Sequence, residues 1–246
     1  MSALSRLTLT ETKLFFREPI NVIFALALPP VLLAVLGAIP SFREPSEALG
    51  GLRIIDLYTP IVVAIAITTF ALTSLPPQFA TYREKGVLRR MRTTPVRPAA
   101  MLSAQLLMSV VLSVVTMLIV LAIAWFAFDV ALPENALAFL VAFLLTALAM
   151  FSIGLLVAAL APGGASASAI GLVLIFPMLF FAGLWIPRMS MNDVLRTISD
   201  FTPLGAGVQS LQDAAAGNWP EPIYIAVLLG WTILAGGLAA RFFRWE

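Results

Sequence analysis

The stretch YREKGVLRRMRTTPVRP, Tyr82–Pro98, decides how the rest of the chain is read. It holds six of the fifteen basic residues, Arg83, Lys85, Arg89, Arg90, Arg92 and Arg97, with one acid, Glu84, and it separates two long runs that carry no charge. A charged side chain at the centre of a membrane helix costs roughly 2.5–3.5 kcal/mol on insertion scales, so this stretch belongs in water. Short loops rich in Lys and Arg stay on the cytoplasmic side. Tyr82, Val87, Leu88 and Met91 gather toward one side of a short helix, the basic residues point elsewhere, and the Thr94-Pro95 step discourages continuation. The expectation is a cytoplasmic docking helix over 82–94, with Glu84 in its first turn.

The flanking runs set the class. Of the 246 residues, 61% are hydrophobic and 11% charged, whereas soluble domains run at about 45–50% apolar and about 25% charged. This composition predicts an all-α polytopic membrane protein, one transmembrane domain over residues 1–246. The chain has no histidine and no cysteine, which excludes imidazole acid/base chemistry, thiol nucleophiles, disulfides and zinc sites built on those ligands. No catalytic, cofactor-binding or metal residues are proposed. The net charge is only +2, so the overall balance points to no nucleic-acid partner. The first residues carry polar and charged groups up to position 18 and lack the pattern of a cleaved signal peptide.

In chain order, residues 1–19 predict an amphipathic helix on the membrane surface, with Leu4, Leu7, Leu14 and Phe15 near one face and Arg6, Lys13 and Arg17 on the other. Six spans follow, at about 20–39, 57–80, 102–128, 135–160, 167–186 and 222–240. Pro29-Pro30 is expected to kink the first span near its middle, Pro76-Pro77 to bend the end of the second, and Pro177 to interrupt the fifth. Gly163, Gly164, Ala167, Ser168 and Gly171 permit close helix approach at the start of the fifth span. Residues 187–221 predict an outer helical hairpin, 192–199 and 204–216, broken at Asp200–Pro203.

Counting charges orients this layout. With both termini inside, eleven basic residues fall on the cytoplasmic side and four outside, a bias that fits six spans and cytoplasmic termini. None of the six spans contains Asp, Glu, Lys or Arg, which disfavours an ion-coupled carrier and an intramembrane aspartyl protease. The chain also has no G-x-x-x-x-G-K-[ST] phosphate loop, so any driving energy enters from outside it.

Two stretches carry a family resemblance: YREKGVLRRMRTTPVRPAAMLSAQLL, Tyr82–Leu107, and FPMLFFAGLWIPRMSMNDVLRTISDFTPLGAGVQSLQDA, Phe176–Ala214. Together with six spans, they make the chain resemble the membrane subunits of type-2 ABC exporters, the group that includes daunorubicin-resistance-like permeases. Departures from the family pattern fall at Ala182-Gly183, Met191-Asn192 and Thr202-Pro203. The resemblance implies a multi-pass permease of the bacterial plasma membrane, working in export and drug efflux. It implies a dimer of permeases, two copies or paralogues, with the path between them. It also implies that Tyr82, Arg83, Glu84, Lys85, Gly86, Leu88, Arg89 and Arg90 seat in a separate cytosolic ABC ATPase subunit. ATP and Mg would belong to that partner, with no cofactor in this chain and an amphipathic drug-like or lipid-like substrate.

Each site reading has a plainer alternative. The basic stretch serves either as a docking element or as an orientation signal meeting anionic lipid, at about 1 kcal/mol per basic residue near the surface. Glu84 either favours the positive end of its own helix or pairs with an arginine of the partner. The hydroxyls of Thr68, Thr69, Thr73, Ser109, Ser113 and Thr116 either line a path or bond to their own helices. Pro177, Gly183, Pro187 and Pro203 mark a candidate outer gate. A membrane scaffold or assembly factor that recruits a cytosolic partner through the same loop is the alternative function.

Overall fold

The structure, a computed structural model, describes residues 3–47, 51–87 and 98–242. Among these residues no strand forms, only an isolated bridge between Pro45 and Arg53. The helices are α1 (Ala3–Arg17), α2 (Pro19–Val22), α3 (Leu28–Ala38), α4 (Ile54–Thr69), α5 (Leu75–Glu84), α6 (Pro98–Phe128), α7 (Ala136–Leu160), α8 (Gly164–Phe181), α9 (Asp193–Phe201), α10 (Pro203–Ala215) and α11 (Pro222–Phe242).

Among the described residues, five helical runs are long and apolar enough to cross a membrane: Ile54–Glu84, Ala100–Phe128, Ala136–Leu160, Gly164–Phe181 and Pro222–Phe242. The expected first span, 20–39, falls on a helical run that continues from Pro19 through Ala38, within which Ile23–Ala38 is a shorter apolar helix.

The double prolines act in a way that their position alone does not predict. Ahead of each pair the helix widens into a π turn, Ile23–Ala27 before Pro29-Pro30 and Phe70–Ser74 before Pro76-Pro77. Leu28 N–H reaches Ile23 O and Leu75 N–H reaches Phe70 O, each five residues back. Proline brings no N–H and its ring crowds the preceding turn, and a π turn makes room for that ring while the run stays helical. Pro177, expected to interrupt a span, instead lies inside continuous α8.

The second π turn sits at the centre of the bundle. With Leu75 N–H taken by Phe70 O and no N–H on Pro76 or Pro77, the carbonyls of Ala71 and Leu72 lose their helical donors. Gly154 of α7 and Gly171 of α8 press against these two oxygens. A Cβ at Gly154 would stand 2.0 Å from Ala71 O, and one at Gly171 would stand 2.1 Å from Leu72 O. Only glycine allows this approach, which brings Cα–H groups to carbonyls that the prolines leave open.

At the other end of the bundle, α10 is buried along most of its length and packs against α7, α4 and α11. The break before it is narrower than expected. Asp200 and Phe201 complete α9, and Thr202 alone separates the two helices, its Oγ1 accepting from Gly205 N–H at 3.1 Å. Asp200, poorly placed at a helix C-terminus, is held by a bidentate pair with Arg188 at 2.6 and 2.8 Å. Trp231 Nε1–H donates to Phe201 O at 3.0 Å. Glu134 and Asn135 N–H donate to Ala215 O and Ala214 O, each at 3.3 Å, closing the end of α10.

The glycine contacts have a measurable cost. Gly154→Ala and Gly171→Ala should each destabilise the protein by about 1–3 kcal/mol, read as a lower thermal midpoint in detergent. Gly237→Ala, where nothing lies within 4 Å of the added Cβ, should change stability by no more than about 0.5 kcal/mol.

Candidate partner-docking site

The basic stretch does not open a new helix at Tyr82. Tyr82, Arg83 and Glu84 form the last turn of α5, and the helix stops at Lys85-Gly86, where Gly86 takes φ +65° and its N–H returns to Arg83 O at 3.0 Å. This is the left-handed cap that glycine adopts at least cost. Glu84 therefore stands at the C-terminal end of its helix, not in a first turn. Leu88, Arg89 and Arg90, and the rest of the expected helix to Thr94, lie outside the described residues.

Tyr82 points back into the protein. Its hydroxyl donates to the Glu11 carboxylate at 3.0 Å and accepts from Gln78 Nε2 at 2.9 Å. Gln78 Nε2 also donates to Glu11 at 3.0 Å, and Gln105 Nε2 donates to Gln78 Oε1. A chain of polar groups thus joins α1, α5 and α6. Glu11 is only 2% exposed, and burial raises its pKa above the ordinary value while the Tyr82 hydroxyl pulls it the other way. One turn on, Phe15 is buried against Phe70, ring centroids 5.8 Å apart. The face of α1 turned to the protein thus runs through Glu11 and Phe15, whereas Leu14, expected on that face, is exposed together with Leu9 and Phe16.

Arg83 and Glu84 reach two other helix ends. Arg83 Nη1 donates to Ala158 O at 3.2 Å and Ala159 O at 3.1 Å, and Nη2 donates to Ala161 O. These are carbonyls at the C-terminus of α7, the negative end of its dipole. Glu84 accepts from Gly164 N–H at 3.2 Å, at the positive N-terminus of α8. A charge of the favourable sign at a helix end contributes about 0.3–1 kcal/mol, and up to ~2 kcal/mol where partly buried. The small residues of α8 allow this closeness: Gly164, Ala167 and Gly171 are buried, and a Cβ at Gly164 would stand 2.1 Å from Thr81 Oγ1.

The remaining expected site residues divide. Thr68, Thr69, Thr73, Ser113 and Thr116 each donate to a carbonyl three or four residues back in their own helix. Ser109 is buried and its hydroxyl has no partner among the described residues. Thr73 lines a cavity beside α5, together with Ser74, Gln78, Lys85 and Glu18. Of the outer-gate residues, Gly183 at φ +88° and Pro187 line a cavity of about 90 Å³ with Tyr58, Arg188, Gln209 and Gln212, and Tyr58 donates to Leu184 O at 2.9 Å. Pro203 is buried at the start of α10, and neither it nor Pro177 is on that lining.

Glu11 and Gln78 were not among the expected site residues. A signal for Glu11 was present: it falls four residues after Leu7 and four before Phe15, an acid on the apolar side of an amphipathic helix.

The buried carboxyl makes a pH prediction. Because its folded pKa is raised, the contribution of Glu11 to stability is fully present below the unfolded value of 4.5 and is lost as pH rises through the folded pKa. Glu11→Gln should flatten the fall of the thermal midpoint as pH rises above 4.5. Identical slopes for the variant and the parent would remove Glu11 as the cause.

The chain as a whole compares with one known family. Residues 2–215 match the family model described as ABC-2 type transporter. No curated protein matches the chain. The match spans most of the 246 residues, the apolar helices supply the membrane part, and the sequence has no phosphate loop of its own. This chain belongs to the ABC-2 type transporter family, as a transmembrane component of an ABC-type transporter.

Proposed function

We propose that the chain is the permease of an exporter of the bacterial plasma membrane, driven by ATP hydrolysis in a separate cytosolic ABC ATPase subunit that docks on the stretch beginning at Tyr82. Two permeases, identical or paralogous, form the path between them, and the cargo is an amphipathic drug-like or lipid-like molecule. ATP and Mg act in the partner.

One observation carries this reading. The last turn of α5, at the edge of the basic stretch, holds α1 through Tyr82, the end of α7 through Arg83 and the start of α8 through Glu84. A displacement delivered to that turn reaches several helices at once, through contacts of hydrogen-bond length. A passive orientation signal has no need of such contacts. The four basic residues expected on the opposite side also bind within the protein. Arg53 binds Asp56 at 2.7 Å and donates to Phe128 O and Asp129 O, Arg43 lies over the Phe128 ring at 5.0 Å, Arg188 holds Asp200, and Arg196 donates to Met191 O.

The reading is tested with the permease reconstituted in proteoliposomes with its ATPase subunit. Adding the parent permease should change the rate of ATP hydrolysis. Glu84→Ala, which frees the start of α8, and Gly86→Pro, which cannot hold a φ of +65° because proline is fixed near −65°, should each uncouple hydrolysis from cargo efflux by about tenfold or more. Both variants should still insert in the membrane. If hydrolysis and efflux stay unchanged in both, docking is not at this turn. A parent permease that inserts and binds the ATPase but moves no cargo would favour a scaffold.

A further inference from the structure

Two buried side chains one turn apart on α6 end in polar atoms that are left open. Gln105 and Ser109 are both 0% exposed, and Gln105 Oε1 and the Ser109 hydroxyl have no hydrogen-bond partner among the described residues. Farther along the same helix, Ser113 and Thr116 bond to carbonyls of their own turns. A buried polar atom without a partner is costly, and a native fold keeps few of them. The amide of Gln105 is oriented by its neighbour. Gln78 Nε2 already donates to Glu11 and to Tyr82, so Gln78 Oε1 takes a donor, and Gln105 Nε2 supplies it. Turning the Gln105 amide over would set two carbonyl oxygens against each other. Its Oε1 therefore points away from Gln78 and stays open.

A third such atom belongs to the facing helical run. The Ser74 hydroxyl is buried and also lacks a partner among the described residues. Ser74 closes the π turn, and the carbonyl four residues before it, Phe70 O, already receives Leu75 N–H. Two ties set the register between this run and α6. Arg53 donates to Phe128 O at one end and Gln105 donates to Gln78 near the other, so the two runs are antiparallel. Ser74 lies one turn before Gln78, and Ser109 lies one turn after Gln105. Both hydroxyls thus stand at one level of the bundle, on the faces that the bond between the two glutamines brings together.

Side chains four residues apart on a helix have Cβ atoms about 5–6 Å apart, and Gln105 Oε1 and Ser109 Oγ make no bond to each other. One water spans such a gap with about 2.8 Å on either side. A buried water has about three polar partners, and three open atoms converge on this level. Ser74 and Gln78 also line the cavity of about 410 Å³ beside α5, which gives water a way in.

We propose that one ordered water is bound between the π turn, α5 and α6, donating to Gln105 Oε1 and Ser109 Oγ and accepting from the Ser74 hydroxyl. With this water in place, the polar chain that begins at Glu11 of α1 runs through Gln78 and Gln105 to the end of the π turn, and each of the three open atoms is met.

The test is a double-substitution cycle on the full chain in lipid nanodiscs. With one shared water, Ser74→Ala and Ser109→Ala should each lower the thermal midpoint by about 2–4 °C. The double variant should lose no more than about the larger of the two single losses, because the first substitution has already released the water. A dry site gives the opposite sign, since each alanine then removes a buried hydroxyl that nothing met. Midpoints that rise or hold in the single variants overturn the proposal, and so do two losses that add in full, which would give each hydroxyl a partner of its own. A density map of the full chain at a resolution that shows solvent should carry one oxygen within about 3.2 Å of Gln105 Oε1 and of both hydroxyls. An empty position there, or Ser109 turned onto a carbonyl of its own helix, overturns the water.

Discussion

Inside a membrane-depth bundle a backbone carbonyl without a donor costs several kcal/mol, because no water is there to replace it. Much of this fold follows from that constraint. Pro76-Pro77 removes two N–H groups from the most buried helical run of the molecule, and the consequences spread outward. The turn before the prolines widens to π, the oxygens of Ala71 and Leu72 are left open, and α7 and α8 come close enough at Gly154 and Gly171 to cover them. The same rule explains the hydroxyls. A threonine or serine in this setting does best by donating to a carbonyl in its own helix, which is what Thr68, Thr69, Thr116 and Thr146 do. It governs the helix ends as well, where Arg83, Trp231 and the N–H groups of Glu134 and Asn135 supply the donors that the last turns lack.

A second group of contacts depends on one acid. Glu11 lies in a helix whose Lys13 and Arg17 are exposed, and it is buried because Tyr82 and Gln78 meet it with donors. Burying a carboxylate is costly unless it is hydrogen-bonded, so the position of α1 on α6 depends on residues of α5. Phe15 against Phe70 adds apolar area to the same joint. The surface helix is thereby registered against the π turn as well as against the membrane.

The class of fold and most helix positions were legible in the sequence, since uncharged runs of about 20 residues have few alternatives. The two helices of the 187–221 segment were legible too, from turn residues and capping types. The π turns were not, because periodicity treats a double proline as a kink and does not say how the strain is relieved. Within the candidate site, the importance of Tyr82–Glu84 was visible as charge, while its partners were not. Arg83 finds backbone oxygens and Glu84 a backbone N–H, on segments about 75–80 residues away, and backbone groups carry no signature in the residue types. The hydroxyl stripe misled for a related reason: three- or four-residue spacing places hydroxyls on one face of a helix but cannot tell a cavity from the helix's own carbonyls.

The position of the charges bears on how such a bundle can transmit force. Side chains packed in mid-span can slide, since apolar contacts are non-directional, whereas a guanidinium on carbonyls or a carboxylate on an N–H keeps its energy only over a few tenths of an ångström. At one end of the bundle the ties run from a single turn, the end of α5, to α1, α7 and α8. At the other end Arg53 ties α4 to the end of α6, Gln212 of α10 donates to Leu57 O, and Arg188 fixes α9. Between these two sets of ties the contacts among the described residues are mostly apolar, and most of the hydroxyls there are bonded within their own helices. Ties of this kind at both ends favour the tilting of whole helices over the melting of a segment.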